Sequence, residues 1–362
     1  MRNIVKYIFL YPLSLIYGLV VGIRNFFFDK GILPTTGFGI PVISVGNLAV
    51  GGTGKTPHTE YILSLLEGEY KLAVLSRGYK RKTRGFYLAD SQSGYSTLGD
   101  EASQVHRKFP HVAVAVDEKR VRGINNLAKL VDDLGVVVLD DAFQHRYVQP
   151  GLSILLTDYA NLYSHDHLLP AGRLREWSGG SKRADLIVVT KCPDEIKPID
   201  MRLIETELKP ENNQLLFFSR YVYDELAPLF PEAILLKHTY GTLRDLQAHV
   251  LLVAGIVSPR PIIEQLETYT QAIQSLLFND HHDFKPRDFL AMQAAFDKID
   301  SESKIILLTE KDAARIISNP AYPEELKPYT FVVPIRVEIL NGKETLFTQK
   351  IKSYVVENSR NR

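Results

Sequence analysis

Glycine, lysine and threonine crowd residues 49–56, which read Ala49-Val50-Gly51-Gly52-Thr53-Gly54-Lys55-Thr56. Small residues let successive backbone N–H groups turn toward phosphate oxygens, the lysine reaches the β- and γ-phosphates, and the threonine hydroxyl is a ligand for Mg²⁺. The run follows an apolar strand at 41–45 and leads into Pro57, which a first helical turn tolerates. This is the strand, loop and helix order that a P-loop requires. Ala49 stands where the pattern usually has its first glycine. A second chemical feature is Val136-Val137-Val138-Leu139-Asp140-Asp141, an apolar strand ending in two carboxylates. A parallel strand delivers that end to the phosphate edge of the sheet, where one carboxylate holds Mg²⁺ directly or through water. Asp140 suits the direct role; Asp141 suits a second ion or the orientation of a neighbour. Together the two features predict phosphoryl transfer that depends on ATP and Mg²⁺.

Other runs are chemically suggestive. Arg77, Lys80, Arg81, Lys82 and Arg84 crowd one stretch, either a solvated basic loop or a surface for anionic headgroups. Thr190-Lys191-Cys192-Pro193 is similar to a guanine-reading segment, but Pro193 stands where the base-reading carboxylate would be, which favours adenine. Thr309-Glu310-Lys311-Asp312 ends an apolar strand, and either a nucleotide contact or a contact between lobes fits it. The histidines show no convincing zinc-ligand spacing.

These residues need a sheet to position them. Short apolar runs at 41–45, 72–75, 112–116, 136–139, 154–156 and 186–189 recur at helix-sized intervals, with helical patterns at 56–66 and 118–130. Strands buried on both faces by crossover helices read this way, so the fold class is α/β with a parallel P-loop sheet. Prolines at 193, 198, 210, 228 and 231 then loosen the pattern. Strand-like runs resume at 250–254, 275–278, 305–308 and 330–334, with helices at 261–268 and 286–297. The expected division is an N-terminal hydrophobic helix at 1–30, a P-loop domain at 31–213 and a second, smaller α/β lobe at 214–362 closing the cleft.

The chain has 362 residues, enough for two cores, and its 43 basic residues balance 42 acidic ones, which gives no global reason to expect nucleic acid. One cysteine, Cys192, makes neither an internal disulfide nor a thiolate cluster and suits a reducing compartment. Residues 7–23 carry no charge and are flanked by Arg2, Lys6 and Arg24. As a helix rising about 1.5 Å per residue they span roughly 25 Å, short for a bilayer of about 30 Å and ample for one leaflet. There is no small-residue cleavage site for a signal peptide, and Pro12, Gly18 and Gly22 are easier to accommodate in a membrane than in water. The competing reading is an amphipathic helix packed on the protein's own core.

Several motifs in order resemble the tetraacyldisaccharide 4'-kinase family of lipid A biosynthesis: 45–57, Ser76-Arg77-Gly78-Tyr79, Gly99-Asp100-Glu101, Leu139-Asp140-Asp141-Ala142-Phe143-Gln144-His145, 169–176, Asp280-His281-His282 and Thr309–Asp312. Ala102 and Ala142 depart from the family pattern, which has proline and glycine there. The resemblance implies phosphorylation of the 4'-hydroxyl of a membrane-embedded anionic glycolipid at the cytoplasmic face of the inner membrane, with no obligate protein partner. It further implies Asp100 as proton acceptor supported by His281, Lys55 as a catalytic cation, and substrate contacts from Arg77, Tyr79, Glu101, Arg120, Gln144 and Arg175. Glu176 is implied near the metal. A kinase or ATP-dependent ligase for a soluble metabolite, or a nucleotide switch, are the rival readings.

Overall fold

The computed structural model describes residues 2–359, and side chains from residue 8 onward. Helix α1 (Arg2–Asp29) precedes β1 (Val42–Asn47), α2 (Lys55–Leu66), β2 (Leu72–Ser76), β3 (Tyr87–Leu88), α3 (Tyr95–Leu98), α4 (Asp100–Lys108), β4 (Ala113–Val116) and α5 (Arg120–Leu130). Next come β5 (Val136–Asp140), β6 (Leu152–Asp158), β7 (Leu186–Thr190), α6 (Pro198–Leu208), β8 (Leu215–Tyr223) and β9 (Ala227–Pro228). The chain continues through α7 (Tyr240–Asp245), β10 (His249–Ala254), α8 (Arg260–Glu267), β11 (Ile273–Leu277), α9 (Pro286–Asp297) and β12 (Lys304–Thr309). It closes with α10 (Glu310–Ile316), β13 (Thr330–Val333), β14 (Ile335–Ile339) and α11 (Glu344–Ser359).

Two sheets organise these elements. The first has nine strands in the order β14-β8-β7-β6-β1-β5-β2-β4-β3, and the second has five in the order β11-β10-β12-β13-β9. Central strands of both are parallel and mostly apolar because helices cover both faces: every residue of β1, β2, β5 and β7 is buried. Antiparallel strands sit at the edges, β3 and β14 on the first sheet and β9 on the second.

The border between lobes does not fall at residue 213. β8 pairs in parallel with β7 and β14 pairs with β8, so both belong to the P-loop sheet, and α11 packs Phe347 on Phe217 and Tyr61 beside them. The second lobe is therefore an insertion between β8 and β14. The reason is the length of β8, whose burial fades toward Tyr223 yet whose ladder continues, so the proline-rich stretch before it marks a connection rather than a border. Both crossings lie side by side: the Asp224 N–H donates to the Pro334 carbonyl at 3.0 Å.

α1 has an inverted pattern. Ser14, Gly18 and Phe28 face the protein, while Phe9, Leu13, Ile16, Leu19, Val20, Ile23 and Phe26 are exposed. Its inner stripe is small or polar and tied down: Ser14 donates to the Leu168 carbonyl (2.9 Å), Tyr17 to that of Arg175 (2.8 Å), and Trp177 to that of Gly18 (3.2 Å). A core helix would turn its apolar face inward. Among the described residues this is the single helix long and apolar enough to cross a membrane by length and composition. The flanking Arg2 and Lys6 side chains lie outside the described residues.

Candidate active site

The loop after β1 is shaped by contacts from three directions. Gly54 has φ +87°, and a Cβ there would strike the Tyr221 hydroxyl, so glycine is required both by backbone and by space. Asn47 Nδ2 donates to Thr53 Oγ1 (2.7 Å), Thr190 Oγ1 to the Thr53 carbonyl (2.9 Å), and Lys191 to the Gly52 carbonyl and to Asp158 (2.8 Å). The run 190–193 thus buttresses the loop. Ala49 bridges Leu174, the Val50 N–H donates to Arg173 and the Arg175 N–H to Leu48, both at 2.7 Å, so the start of the loop is paired like a short strand. That pairing stabilises an extended backbone where glycine is dispensable, which accounts for Ala49.

α2 begins at Lys55, which with Thr56 is buried. Register sets the metal-side carboxylates opposite them: Val45 of β1 pairs with Asp140 of β5. Lys55 Nζ lies 3.8 Å from Asp141, whose Oδ1 also accepts from Arg175 at 2.8 Å. Burial opposes ionisation of Asp141, but Lys55 and Arg175 outweigh it and hold the carboxyl below its usual range. Asp140 is pushed the other way, by burial first and then by Glu101 and Asp141, although Thr59 donates to it at 3.3 Å. A buried carboxyl raised by two neighbouring carboxylates marks a place short of positive charge. Together with the Thr56 hydroxyl these hard oxygens fit Mg²⁺. Among the described residues no three His, Cys, Asp or Glu side chains form a complete metal cage, which suits an ion shared with phosphate oxygens and water.

Arg120 is buried and donates to the Asp140 carbonyl at 3.3 Å; burial lowers it to about 10. Arg77 and Tyr79 are exposed on the loop after β2. Gln144 donates to the Asn47 carbonyl (2.8 Å) and to Glu176 (2.9 Å) and accepts from Arg175 (3.3 Å). Glu176 departs from its expected role. Both its oxygens accept from Arg183, and Asn25 of α1 adds a 2.8 Å bond, so this buried carboxylate is spent on pairing a guanidinium and seating α1.

Asp100 opens α4 rather than forming a turn. Gly99 has φ +84°, and a Cβ there would meet the Tyr79 carbonyl, so the loop after β2 and the helix start are locked together. Across the cleft, Asp100 Oδ2 meets His281 Nδ1, two residues that the family resemblance put together. Sequence reasoning missed Arg315 of α10, whose Nε reaches Asp100 Oδ1 at 3.0 Å and whose Nη2 reaches Oδ2 at 2.7 Å. Burial opposes the charge, but the bonds from His281 and Arg315 hold the Asp100 carboxyl down at about 2. Arg315 lies three residues past Asp312, so the signal was one helical turn beyond the Thr309–Asp312 run. That run is a lobe contact: Asp312 holds Arg315 (2.9 Å), and Glu310 and Glu60 share Lys108 at 2.8 and 2.7 Å.

The chain is similar to known proteins. Residues 6–355 match the family described as LpxK, tetraacyldisaccharide-1-P 4'-kinase. The chain is 52% identical over 359 residues to the tetraacyldisaccharide 4'-kinase of Bacteroides thetaiotaomicron, covering 97% of this chain and 94% of that one. It is 41% identical over 355 residues to the enzyme of the same name from Flavobacterium johnsoniae, covering 96% and 97%. The crystal structure of "apo" form LpxK from Aquifex aeolicus in complex with ATP aligns at a TM-score of 0.73 and 27% identity, over 98% of this chain and 99% of that one.

Proposed function

This chain belongs to the tetraacyldisaccharide-1-P 4'-kinase family, and from that premise we propose how its residues carry the transfer. It phosphorylates the 4'-hydroxyl of tetraacyldisaccharide 1-phosphate with ATP, a step of lipid A biosynthesis. The loop 49–56 cradles the phosphates with backbone N–H groups, and Lys55 meets charge as it develops on the β- and γ-oxygens. Thr56, Asp140 and Asp141 would hold Mg²⁺, which would supply positive charge against the phosphate oxygens. Arg175 and Arg120 keep the two aspartates in place from either side, and Glu101 adds to the acidic group.

The Asp100–His281 pair accepts the proton of the sugar hydroxyl. Asp100 is fully buried with both oxygens engaged, while the His281 side chain keeps about a fifth of its surface open (22%). In this docked arrangement Asp100 supplies charge and orientation, and the outward edge of the imidazole is where a hydroxyl can reach the pair. This shifts the point of proton acceptance from Asp100, which the resemblance implied with His281 in support, toward His281. Tyr79, exposed beside His281, and Arg77, exposed on the same loop, offer contacts to the anionic disaccharide.

α1 is read as lying in a membrane that also holds the substrate, at the cytoplasmic face of the inner membrane where ATP is available. Its outward apolar face and inward polar stripe support this. The observation that carries the whole reading is the β1–β5 register, which sets Asp140 and Asp141 against Lys55 and Thr56. ATP turnover with and without tetraacyldisaccharide 1-phosphate in detergent micelles tests it. Acceptor-dependent ADP release is expected; release indifferent to the acceptor would point to a slow nucleotide switch.

A further inference from the structure

The geometry points to Arg315 as the positioning residue of the Asp100–His281 pair, with Asp312 holding its guanidinium in place. This rests on the reading that the pair accepts the hydroxyl proton. Arg315 is buried, and each of its nitrogens is committed: Nε and Nη2 grip the two oxygens of Asp100, while Nη1 donates to Asp312 Oδ1 at 2.9 Å and to the Gly255 carbonyl at 3.4 Å. Asp312 is itself fixed, since its Oδ2 accepts from the Gly255 N–H at 2.9 Å and from Thr309 Oγ1 at 2.6 Å. The chain of contacts runs from the start of α10 through Asp312 and Arg315 to a carboxylate of the other lobe.

A fork of this kind sets more than distance. Two parallel N–H bonds fix the plane of the Asp100 carboxylate, which leaves Oδ2 aimed at His281 Nδ1. A lysine at 315 would supply charge without that plane. A buried ion pair also adds little to stability over an apolar substitute, so its placement on the proton acceptor is the more informative fact. The other charged and titratable groups around the pair are Tyr79 and Lys80 from the loop after β2, Tyr95 from α3, and Asp280 and Asp283 beside His281. Of these cations only Arg315 binds the carboxylate oxygens; Lys80 is bonded to the His281 carbonyl at 2.6 Å.

Removing the guanidinium takes the two Arg315 bonds from Asp100, so the carboxyl is no longer held as far below its usual range and binds its proton at higher pH. In Arg315→Ala, kcat is expected to fall about 10- to 100-fold, the size of one or two charged hydrogen bonds, with KM for ATP nearly unchanged. The acid limb of the kcat profile should move to higher pH, and added guanidinium ion should partly restore turnover. Arg315→Lys should show the same displacement of the limb to a smaller degree, as should Asp312→Asn, and these two carry the test if the alanine variant does not fold. An unmoved acid limb in a folded variant, whether or not kcat falls, overturns the positioning role. Asp100→Ala separates the two ideas: wild-type kcat there removes the proton-acceptor reading itself, whereas strong loss there with normal kcat and pH profile in Arg315→Ala removes only the inference about Arg315.

Discussion

Lys55 opens the helix that follows β1 and Asp140 ends the neighbouring β5, in a register fixed where Val45 pairs with Asp140, whereas Asp100 meets His281 and Arg315 only across the cleft between lobes. The phosphate half of the site is a property of the P-loop sheet: once β1 and β5 pair, the loop, the lysine and the carboxylates are in place. The proton half has no backbone ladder behind it. It is assembled from α4 on one side and from α10 and the loop after β11 on the other, and side-chain ion pairs are what join them. On the proposed reading, binding nucleotide and accepting the proton are therefore separable, the first belonging to one lobe and the second to the docked pair.

Lys55→Ala strikes the rigid half hardest. Turnover should fall roughly 10³- to 10⁵-fold, the range for removing a cation that meets a transferring phosphoryl group, with the thermal melt little changed. Near-normal turnover would end the P-loop assignment. Asp100→Ala strikes the assembled half: kcat should drop about 10²- to 10⁴-fold while ATP affinity measured by calorimetry stays close to wild type. The Asp100→Ala, His281→Ala double variant should be little worse than Asp100→Ala, since the two act as one unit. Fully additive losses would show that they work independently.

A smaller effect is expected from Asp140→Asn. An amide is a poor ligand for a hard cation, so the Mg²⁺ saturation curve of kcat should shift to higher concentration by about tenfold or more. A curve superimposable on that of wild type would pass the ligand role to Asp141. The smallest effect concerns stability. The Asp100 carboxyl is lowered from 3.8 to about 2 in the folded chain, so its contribution is fully present above the unfolded value and is lost as pH falls through the folded one. Thermal melts of wild type should lose on the order of 2 kcal/mol between pH of about 4 and 2. Asp100→Asn should lack that acid-side loss, and an equal loss in the variant would show that the cross-cleft pair does not join the lobes.

The same contrast decided what the sequence disclosed. The P-loop and the β5 carboxylates were legible because each is a local run whose position follows from strand direction, and the strands at 136–140 and 186–190 appear where their apolar runs stand. Asp100 and His281 were legible only through family resemblance, and nothing local paired them. Arg315 was missed because its partner is 215 residues away and a lone arginine on a short helix carries no signal of its own. Glu176 was placed near the metal by family resemblance alone; adjacent side chains point apart, and while Arg175 reaches Asp141, Glu176 turns to Arg183 and α1. The edge strands β3, β9 and β14 were invisible for a physical reason as well: half-buried, with few residues or mixed polarity, they lack the continuous apolar run of a central strand.

Insertion of the second lobe between β8 and β14 also fixes an order in time. Tyr354 of α11 donates to the Val42 carbonyl and accepts from its N–H, at 3.1 and 2.9 Å, so a helix that covers the first strand of the P-loop sheet is synthesised only after the inserted lobe. Residues 224–334 form a contiguous unit whose five strands are all available as soon as Val333 emerges. The nucleotide lobe begins earlier on the ribosome and finishes later, holding an uncovered apolar face beside Phe217 until Phe347 arrives. Chains normally complete their N-terminal domain first. Here the inserted lobe can close before the one that surrounds it, and a chain cut short before α11 would carry every P-loop residue on a sheet with an apolar face left uncovered.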